Sequence, residues 1–557
     1  MCGILAVIGS TDTELARKLS QKMSHRGPDE SGLFTDGLGN ILCHERLSII
    51  DLKTGHQPIE LGAQLALVHN GEIYNHAALR KTLIDPLAFK TKSDSEIILH
   101  LYREKGVAAI HDLDGVFAFI LVDGERCFVG RDPIGVKPLF YGRDKNGALW
   151  FSSEFKSLVD ACVDISEFPP GHYYTKEEGF VEYYRPQWRA EKVATGGAEQ
   201  IKSSLIAAVK KRMMSDVPLG VLLSGGLDSS LLASIVSREM KKVGKKVKSY
   251  SVGIDANAHD LVAARKVAKH IGSDHHEVIF SPTEGLEALS ELIHKLETYD
   301  VTTIRSATPM YLMMKYIRKD GVKVVLSGEG ADEIFGGYMY FHNAPNSDEF
   351  HRECVRRVKL LYTSDVLRAD RATMGAGVEA RVPFLDLDFL QTSMSVDAKL
   401  KQCIAGKKIE KYVLREAFDD QQDPYLPAEI LWRQKEQFQD GVGYSWVDGL
   451  KAYTESMVTD AEFAMKEVLF PYNTPATKEA FFYRKTFAQH FPHPEVDKLI
   501  WKWIPKWQGQ DLDPSGRASV FHNASHHGPA TPAAAAPLLE DLAEQTMAAI
   551  SFGKKLA

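Results

Sequence analysis

Hydrophobic and polar positions change period along this chain, and the changes divide it. From residue 1 to about 187, short apolar runs recur between Gly, Asp and Pro turns: CGILAVIG, NILCHERLSIID, QLALVHNGEIYN, GVFAFILVDG, CFVGRD and PLFYGRD. Runs of this length bounded by turn formers predict antiparallel sheets. Helical periodicity is confined chiefly to 13–24 and 93–105, so a layered α+β domain is expected. The strings at 171–174 and 181–184 (GHYY and VEYY) predict a closing hairpin. Periodicity then lapses over RAEKVATGGA at 189–198, which reads as a linker. Beyond it, 217–223, 248–254, 277–280 and 322–326 are short apolar runs separated by helical segments, the signature of a parallel α/β sheet. After about Asp348 the pattern is mainly helical up to Trp507. From about Gln508 the chain contains HNASHHGPATPAAAAP, a composition expected to be disordered. The expected units are a domain at 1–187, a linker at 188–200, a second domain at 201–510 and a tail at 511–557.

Length agrees, because 557 residues exceed what one hydrophobic core usually serves. Charge narrows the partners: 67 basic against 74 acidic residues leave a net charge of −7, with no long-range attraction to nucleic acid or anionic membranes. A small-molecule enzyme fits better. The longest apolar run, VFAFILV at 116–122, falls far short of the roughly 18 to 20 residues that span a bilayer. The apolar start at 4–8 has no basic residue before it and is too short for a signal peptide, so a buried first strand in a soluble protein is expected. Six scattered cysteines without a CxxC pair speak against a disulfide framework or a structural zinc site, and a reducing cytoplasm is the expected location.

Candidate chemistry in the second half begins at LLSGGLDSS (222–230), which follows an apolar run and precedes a helix with Leu231, Ile235 and Leu232, Val236 four apart. Strand, glycine-rich loop and helix N-terminus in that order make an anion cradle, with the hydroxyls of Ser224, Ser229 and Ser230 added. The string lacks GxxxxGK[ST] and is no Walker loop. It also fits an ordinary βα turn capped by Asp228 or Ser229. A second apolar run at 324–326 leads into SGEGADE (327–333). Ligands collect beyond the carboxyl ends of parallel strands, so Asp228 and Asp332 are expected to converge. Two carboxylates facing polyphosphate imply Mg²⁺; the alternative is a pair of solvated loop acids.

At the other end stands Met1-Cys2-Gly3. If Met1 is removed, the Cys2 thiol (unperturbed pKa ~8.5) and an α-amine (~7.7 to 8.0) share one residue, giving a nucleophile that carries its own base. An inert, apolar, buried cysteine is the competing reading.

SGGLDSS resembles the PP-loop of ATP pyrophosphatases. With SGEGADE, GVEARVPFLD (377–386) and WRQKEQFQDGVGYSW (432–446), the chain resembles the glutamine-dependent asparagine synthetases over roughly residues 1–515. That resemblance implies an N-terminal-nucleophile αββα sandwich followed by a parallel-sheet PP-loop domain with a helical C-terminal part. Cys2 then resembles the nucleophile of class II glutamine amidotransferases, in company with HRGPD (25–29), RLSII (46–50), Asn70-Gly71-Glu72 and Ser93-Asp94. Glutamine needs a cation for its carboxylate, acids for its ammonium and donors for the oxyanion. Arg46, Glu72 with Asp94, and Asn70 with the Gly71 NH would supply these, with Leu47, Ser48, Ile49 and Ile50 lining the pocket. Taken singly, Arg46 also fits a surface ion pair, Asn70-Gly71 a hairpin turn that presents both donors, and Asp94 a helix cap near Ser95. His25 reads as a structural loop residue.

The reaction the resemblance implies is glutamine hydrolysis at Cys2, transfer of ammonia through an internal tunnel, and its capture by aspartate activated with ATP as β-aspartyl-AMP. Asp228 and Asp332 would hold Mg²⁺, Lys435 would neutralise pyrophosphate, and Glu329 would take a proton from ammonia. Leu223 and Val252 would meet adenine, and Ser224, Gly225, Gly226, Ser229, Ser327 and Gly328 would complete the ATP site. Glu297 to Asp300 and Thr302 to Arg305 would contribute to an aspartate pocket, with Arg305 on the carboxylate. Relatives suggest a homodimer. Ala331 and Ala376 stand where many relatives carry Ser and an aromatic residue; neither change removes a charge. Two competitors share the plan: β-lactam-forming synthetases, which dispense with glutamine, and a non-enzymatic relative. Retention of Cys2, Arg46, Asn70, Gly71, Glu72 and Asp94 speaks against the first, and retention of the nucleotide carboxylates and Lys435 against the second.

Overall fold

The computed structural model describes residues 2–85, 87–189 and 197–507. Met1, most of the expected linker and the expected tail lie outside them. Twelve strands come first: β1 (Gly3–Ile8), β2 (Glu30–Thr35), β3 (Asn40–Arg46), β4 (Ile59–Leu61), β5 (Leu65–Ile73), β6 (Gly115–Asp123), β7 (Arg126–Arg131), β8 (Phe140–Asp144), β9 (Leu149–Ser152), β10 (Cys162–Glu167), β11 (His172–Thr175) and β12 (Gly179–Glu182). They form two six-stranded antiparallel sheets, ordered β10-β8-β9-β1-β3-β2 and β12-β11-β7-β6-β5-β4.

Side-chain alternation explains why the sheets stack. Ile4, Ala6 and Ile8 of β1 face Ala66 and Val68 of β5 and Ala118 and Ile120 of β6 in one cluster between the sheets. Leu5 and Val7 point the other way, onto Ala16 and Leu19 of the helix Thr13–Ser20. On the far face of the second sheet, Leu67, Phe117 and Phe119 pack against Ile97, Ile98 and Leu101 of the helix Glu96–Lys105. The result is four layers, helix on sheet on sheet on helix. A fully buried Leu, Ile or Val contributes about 1.5 to 3 kcal/mol, so β1 is held through both faces and Cys2, at its entrance, is fixed with it.

Five parallel strands follow: β13 (Leu219–Leu222), β14 (Lys248–Gly253), β15 (Asp274–Ile279), β16 (Val324–Leu326) and β17 (Glu379–Arg381), ordered β15-β14-β13-β16-β17. Strand order reverses between β13 and β16, which pair in parallel with Val221 opposite Leu326. At such a switch point the loops after the two strands part and leave a crevice. From Ser347 to Leu499 the chain is mostly helical, as expected. No helix among the described residues is long and apolar enough to cross a membrane.

Candidate active site

Cys2 is buried, 6% exposed, and its backbone NH donates to Asn70 Oδ1 at 2.9 Å. With that oxygen engaged, Asn70 Nδ2 is left buried with no hydrogen-bond partner. A buried donor left unmade costs about 1 to 3 kcal/mol, and beside Cys2 it is a group open to an acceptor. Asn70-Gly71 does not turn a hairpin: both lie inside β5, paired with Ala118 and Phe117 of β6. Glycine is required there by proximity. A Cβ on Gly71 would stand 2.0 Å from the Val116 carbonyl oxygen, and its φ of +153° is one that side chains rarely adopt.

Glu72, next along β5, accepts from Arg381 Nη2 at 2.9 Å through Oε1, while Oε2 is buried and unpartnered. Asp94 does not cap the helix Glu96–Lys105; its Oδ2 accepts from the Ile73 NH at 2.8 Å, which ties it to the end of β5. Arg46 is buried, so the surface-pair reading falls. Its guanidinium donates to Glu30 at 2.8 Å and to the carbonyls of Asp51 and Ile50 at 2.7 and 3.3 Å. Leu47, Ser48 and Ile49 are buried beside it, Ile50 partly so, and the Ser48 NH is held by Asp29 at 2.8 Å. Burial raises the Cys2 thiol and the Asp94 carboxyl, and lifts Glu72 well above the usual carboxylate range despite Arg381. His25 sits against Glu154 at 3.2 Å, and burial lowers it to about 4, which suits a neutral structural imidazole.

In the second half, the loops after β13 and β16 open on one cleft. Leu223, Ser224, Gly226, Asp228, Ser229, Val252, Ser327, Gly328, Glu329, Asp332 and Lys435 all line it. Gly225 is not among its lining residues; its φ of +72° makes the turn, and a Cβ there would meet Ala263 at 2.5 Å. Ser230, expected in the phosphate cradle, is fully buried and does not line the cleft, although its neighbour Ser229 in the helix Leu227–Lys242 does. The Ser224 and Ser229 hydroxyls bond each other at 3.0 Å. Arg305 is corrected too: it is buried with Nε and Nη2 on Glu479 at 2.8 and 2.6 Å, and its helix neighbours Thr302 and Ser306 line the cleft instead.

Charge in the cleft is cross-paired. Lys435 Nζ lies 2.8 Å from Asp332 Oδ2, and Lys411 Nζ lies 2.6 Å from Asp332 Oδ1 while also bonding Asp228 Oδ2. Burial opposes the charge on Asp332, but the two ammonium groups outweigh it and hold the carboxyl well below the usual range. Asp332 and Asp228 in turn overcome the burial of Lys435 and raise it. Asp228 Oδ1 is buried with no hydrogen-bond partner, so a hard divalent cation meets a carboxylate oxygen with no other commitment, and the residues fit Mg²⁺. Glu329 accepts from Arg368 Nη2 at 2.8 Å on both oxygens; burial raises its carboxyl, with Arg368 opposing.

Lys411, Arg368 and Arg381 escaped the reading of the sequence. Lys411 sits in no glycine-rich string and reaches Asp228 across 183 positions. Its φ of +58°, unusual for a residue with a side chain, becomes visible only in three dimensions. Arg381 lies inside GVEARVPFLD, where the string was conspicuous and its individual members were not.

A buried cysteine leading into a four-layered sandwich, followed along the chain by a parallel sheet whose strand ends open on a cleft, fits a glutamine-dependent ligase. Residues 1–191 match the family described as glutamine amidotransferase domain, and residues 200–350 and 342–510 match asparagine synthase. The chain is 49% identical over 555 residues to a Dictyostelium discoideum protein named a probable glutamine-hydrolysing asparagine synthetase, covering 94% of this chain and 99% of that one. It is 47% identical to glutamine-hydrolysing asparagine synthetase 1 of Arabidopsis thaliana, covering 95% of each. The chain belongs to the glutamine-hydrolysing asparagine synthetase family.

Proposed function

We propose that the protein makes asparagine and glutamate from aspartate, glutamine and ATP, with the amide nitrogen released at Cys2 and consumed in the cleft below β13 and β16. Family membership carries the overall reaction. The observation that supports its division between two sites is the unpartnered Asn70 Nδ2 beside Cys2, a donor open to an acceptor and not among the residues that line the cleft.

In this reading the glutaminase activity belongs to 1–187 and the synthetase activity to 201–510. Cys2 attacks the side-chain amide of glutamine once Met1 has been removed. Asn70 Nδ2 and the Gly71 NH receive the oxyanion, Arg46 takes the substrate carboxylate, and Asp94 with the free oxygen of Glu72 takes its ammonium. Arg46 must share its guanidinium with Glu30, whose side chain reaches solvent and can yield.

In the cleft the Ser224 to Ser229 loop cradles the phosphates and the strand ends at Leu223 and Val252 take adenine. Asp228 and Asp332 would hold Mg²⁺, which when bound offsets the charge of the departing pyrophosphate. Lys435 neutralises the same charge from the opposite side, and Lys411 keeps the two carboxylates together. Aspartate is activated as β-aspartyl-AMP, and Glu329, poised by its raised pKa, removes a proton from the attacking ammonia. Ammonia reaches it by an internal path between the sites. A cytoplasmic homodimer completes the proposal.

The test is direct. Protein incubated with ATP, Mg²⁺, aspartate and glutamine should form asparagine, AMP and pyrophosphate in equal amounts. No asparagine from either glutamine or ammonium would refute the reading.

A further inference from the structure

Arg381 is the last residue of β17, and its backbone and side chain serve different halves of the molecule. Its carbonyl accepts the Ser327 NH at 2.8 Å, which seats the first residue of the second nucleotide loop. Its side chain leaves the parallel sheet, donates from Nη1 to the carbonyls of Arg212, at 2.8 Å, and Met214, and from Nε to Glu379 at 2.5 Å. The remaining nitrogen, Nη2, crosses to Glu72 Oε1 at 2.9 Å, spanning 309 positions of sequence. Both partners of that bond are buried, so salt and water screen it little. On the far side, Glu72 is two residues from Asn70, which holds the Cys2 NH, and the other Glu72 oxygen is unpartnered.

We infer that Arg381 is a positioning residue that couples the two sites: it fixes Glu72 for the ammonium of glutamine and feels, through its own carbonyl, where the Ser327 loop sits. The inference rests on the reading of Glu72 as a glutamine contact. A planar guanidinium with four bonds in three directions moves as a unit, unlike an ammonium on a flexible stem. A shift of Ser327 when the nucleotide cleft fills therefore displaces the carboxylate that glutamine meets. Linkage makes the effect reciprocal: whatever filling the cleft does to glutamine affinity, glutamine does to affinity in the cleft.

The full chain carrying Cys2→Ala binds glutamine without consuming it, so calorimetry gives its dissociation constant in the empty protein and with α,β-methylene-ATP, Mg²⁺ and aspartate bound. With Arg381 present the two constants should differ by about 5-fold or more, the lower bound of ordinary allosteric coupling. Arg381→Lys should bring them together while ammonium-dependent synthesis by the same variant, with Cys2 restored, persists. Glu72→Asp, whose shorter side chain withdraws from Arg381, should likewise bring the two constants together and serves if the lysine variant fails to fold. Equal constants with Arg381 present, or an undiminished difference in either variant, would overturn the coupling. Failure of the underlying reading has its own signature: Glu72→Gln binding glutamine as tightly as its parent.

Discussion

Glu72 near Cys2 and Asp332 in the nucleotide cleft answer burial in opposite ways. Around Cys2, desolvation outweighs the opposing charges of Arg46 and Arg381, and Cys2, Asp94 and Glu72 all move toward their neutral forms. In the nucleotide cleft, Asp332 is partly buried, and Lys411 and Lys435 outweigh its desolvation and keep it charged. Burial therefore does not by itself set protonation; what decides is how much opposite charge is set against it. One nearby arginine leaves Glu72 and Glu329 raised, whereas two ammonium groups lower Asp332. In the proposed reaction, handling a polyphosphate requires cations held in register before it arrives, and Lys411 and Lys435 are so held.

Removing the nucleophile should divide the sites most sharply. Cys2→Ala is expected to lower glutamine-dependent asparagine formation by at least ~10³-fold, in line with losses of other catalytic nucleophiles, while ammonium still supports synthesis. Equal loss with both nitrogen donors at unchanged folding would mean that the sites are not separate. A retained Met1, checked by mass spectrometry of the mature chain, should have the same selective effect.

On the charged side, Lys411→Met is expected to cost about 10² to 10³ in synthetase rate, comparable to deleting one preorganised donor, with glutamine hydrolysis spared. The variant also leaves Asp332 with Lys435 alone, so pyrophosphate release assays should show the defect before any ammonia step. Unchanged asparagine output would show the Lys411 bridge to be idle.

Gly71→Ala probes the neutral side through packing. Its Cβ would overlap the Val116 carbonyl, and the strain of an unfavourable φ adds to it, so destabilisation of about 2 kcal/mol or more is expected in thermal or urea unfolding. A wild-type melt would mean that the strands β5 and β6 part easily there.

The smallest effect concerns pH. In the proposed reaction Glu329 works as the carboxylate, so its raised pKa means that synthetase activity should fall, as pH drops, earlier than it would with an ordinary carboxylate. Arg368 opposes the rise, so Arg368→Met should move the acid limb of the ammonium-dependent reaction to still higher pH. An unmoved limb would take Glu329 out of the proton step.

Much of this was legible in the chain. SGGLDSS and SGEGADE could be placed at strand ends because each follows an apolar run too short for anything but a buried strand. Asn70-Gly71 was misleading as a turn: that dipeptide is the strongest short hairpin signal, and only the approach of β6 shows that glycine is there for clearance. Asp94 was misleading as a cap for a similar reason, since a carboxylate before a helix has a local role by default, and here a strand NH from Ile73 claims it instead.

The sequence by itself determined the elements, the order of the halves and the loops that carry the chemistry, because these depend on local periodicity, turn residues and contiguous strings. Tertiary structure alone decided which charges meet. Lys411 between Asp228 and Asp332, Arg368 on Glu329, and Arg381 on Glu72 are pairings across large sequence separations. A buried ion pair is specified by the three-dimensional balance of desolvation and Coulomb attraction, and no local pattern encodes it.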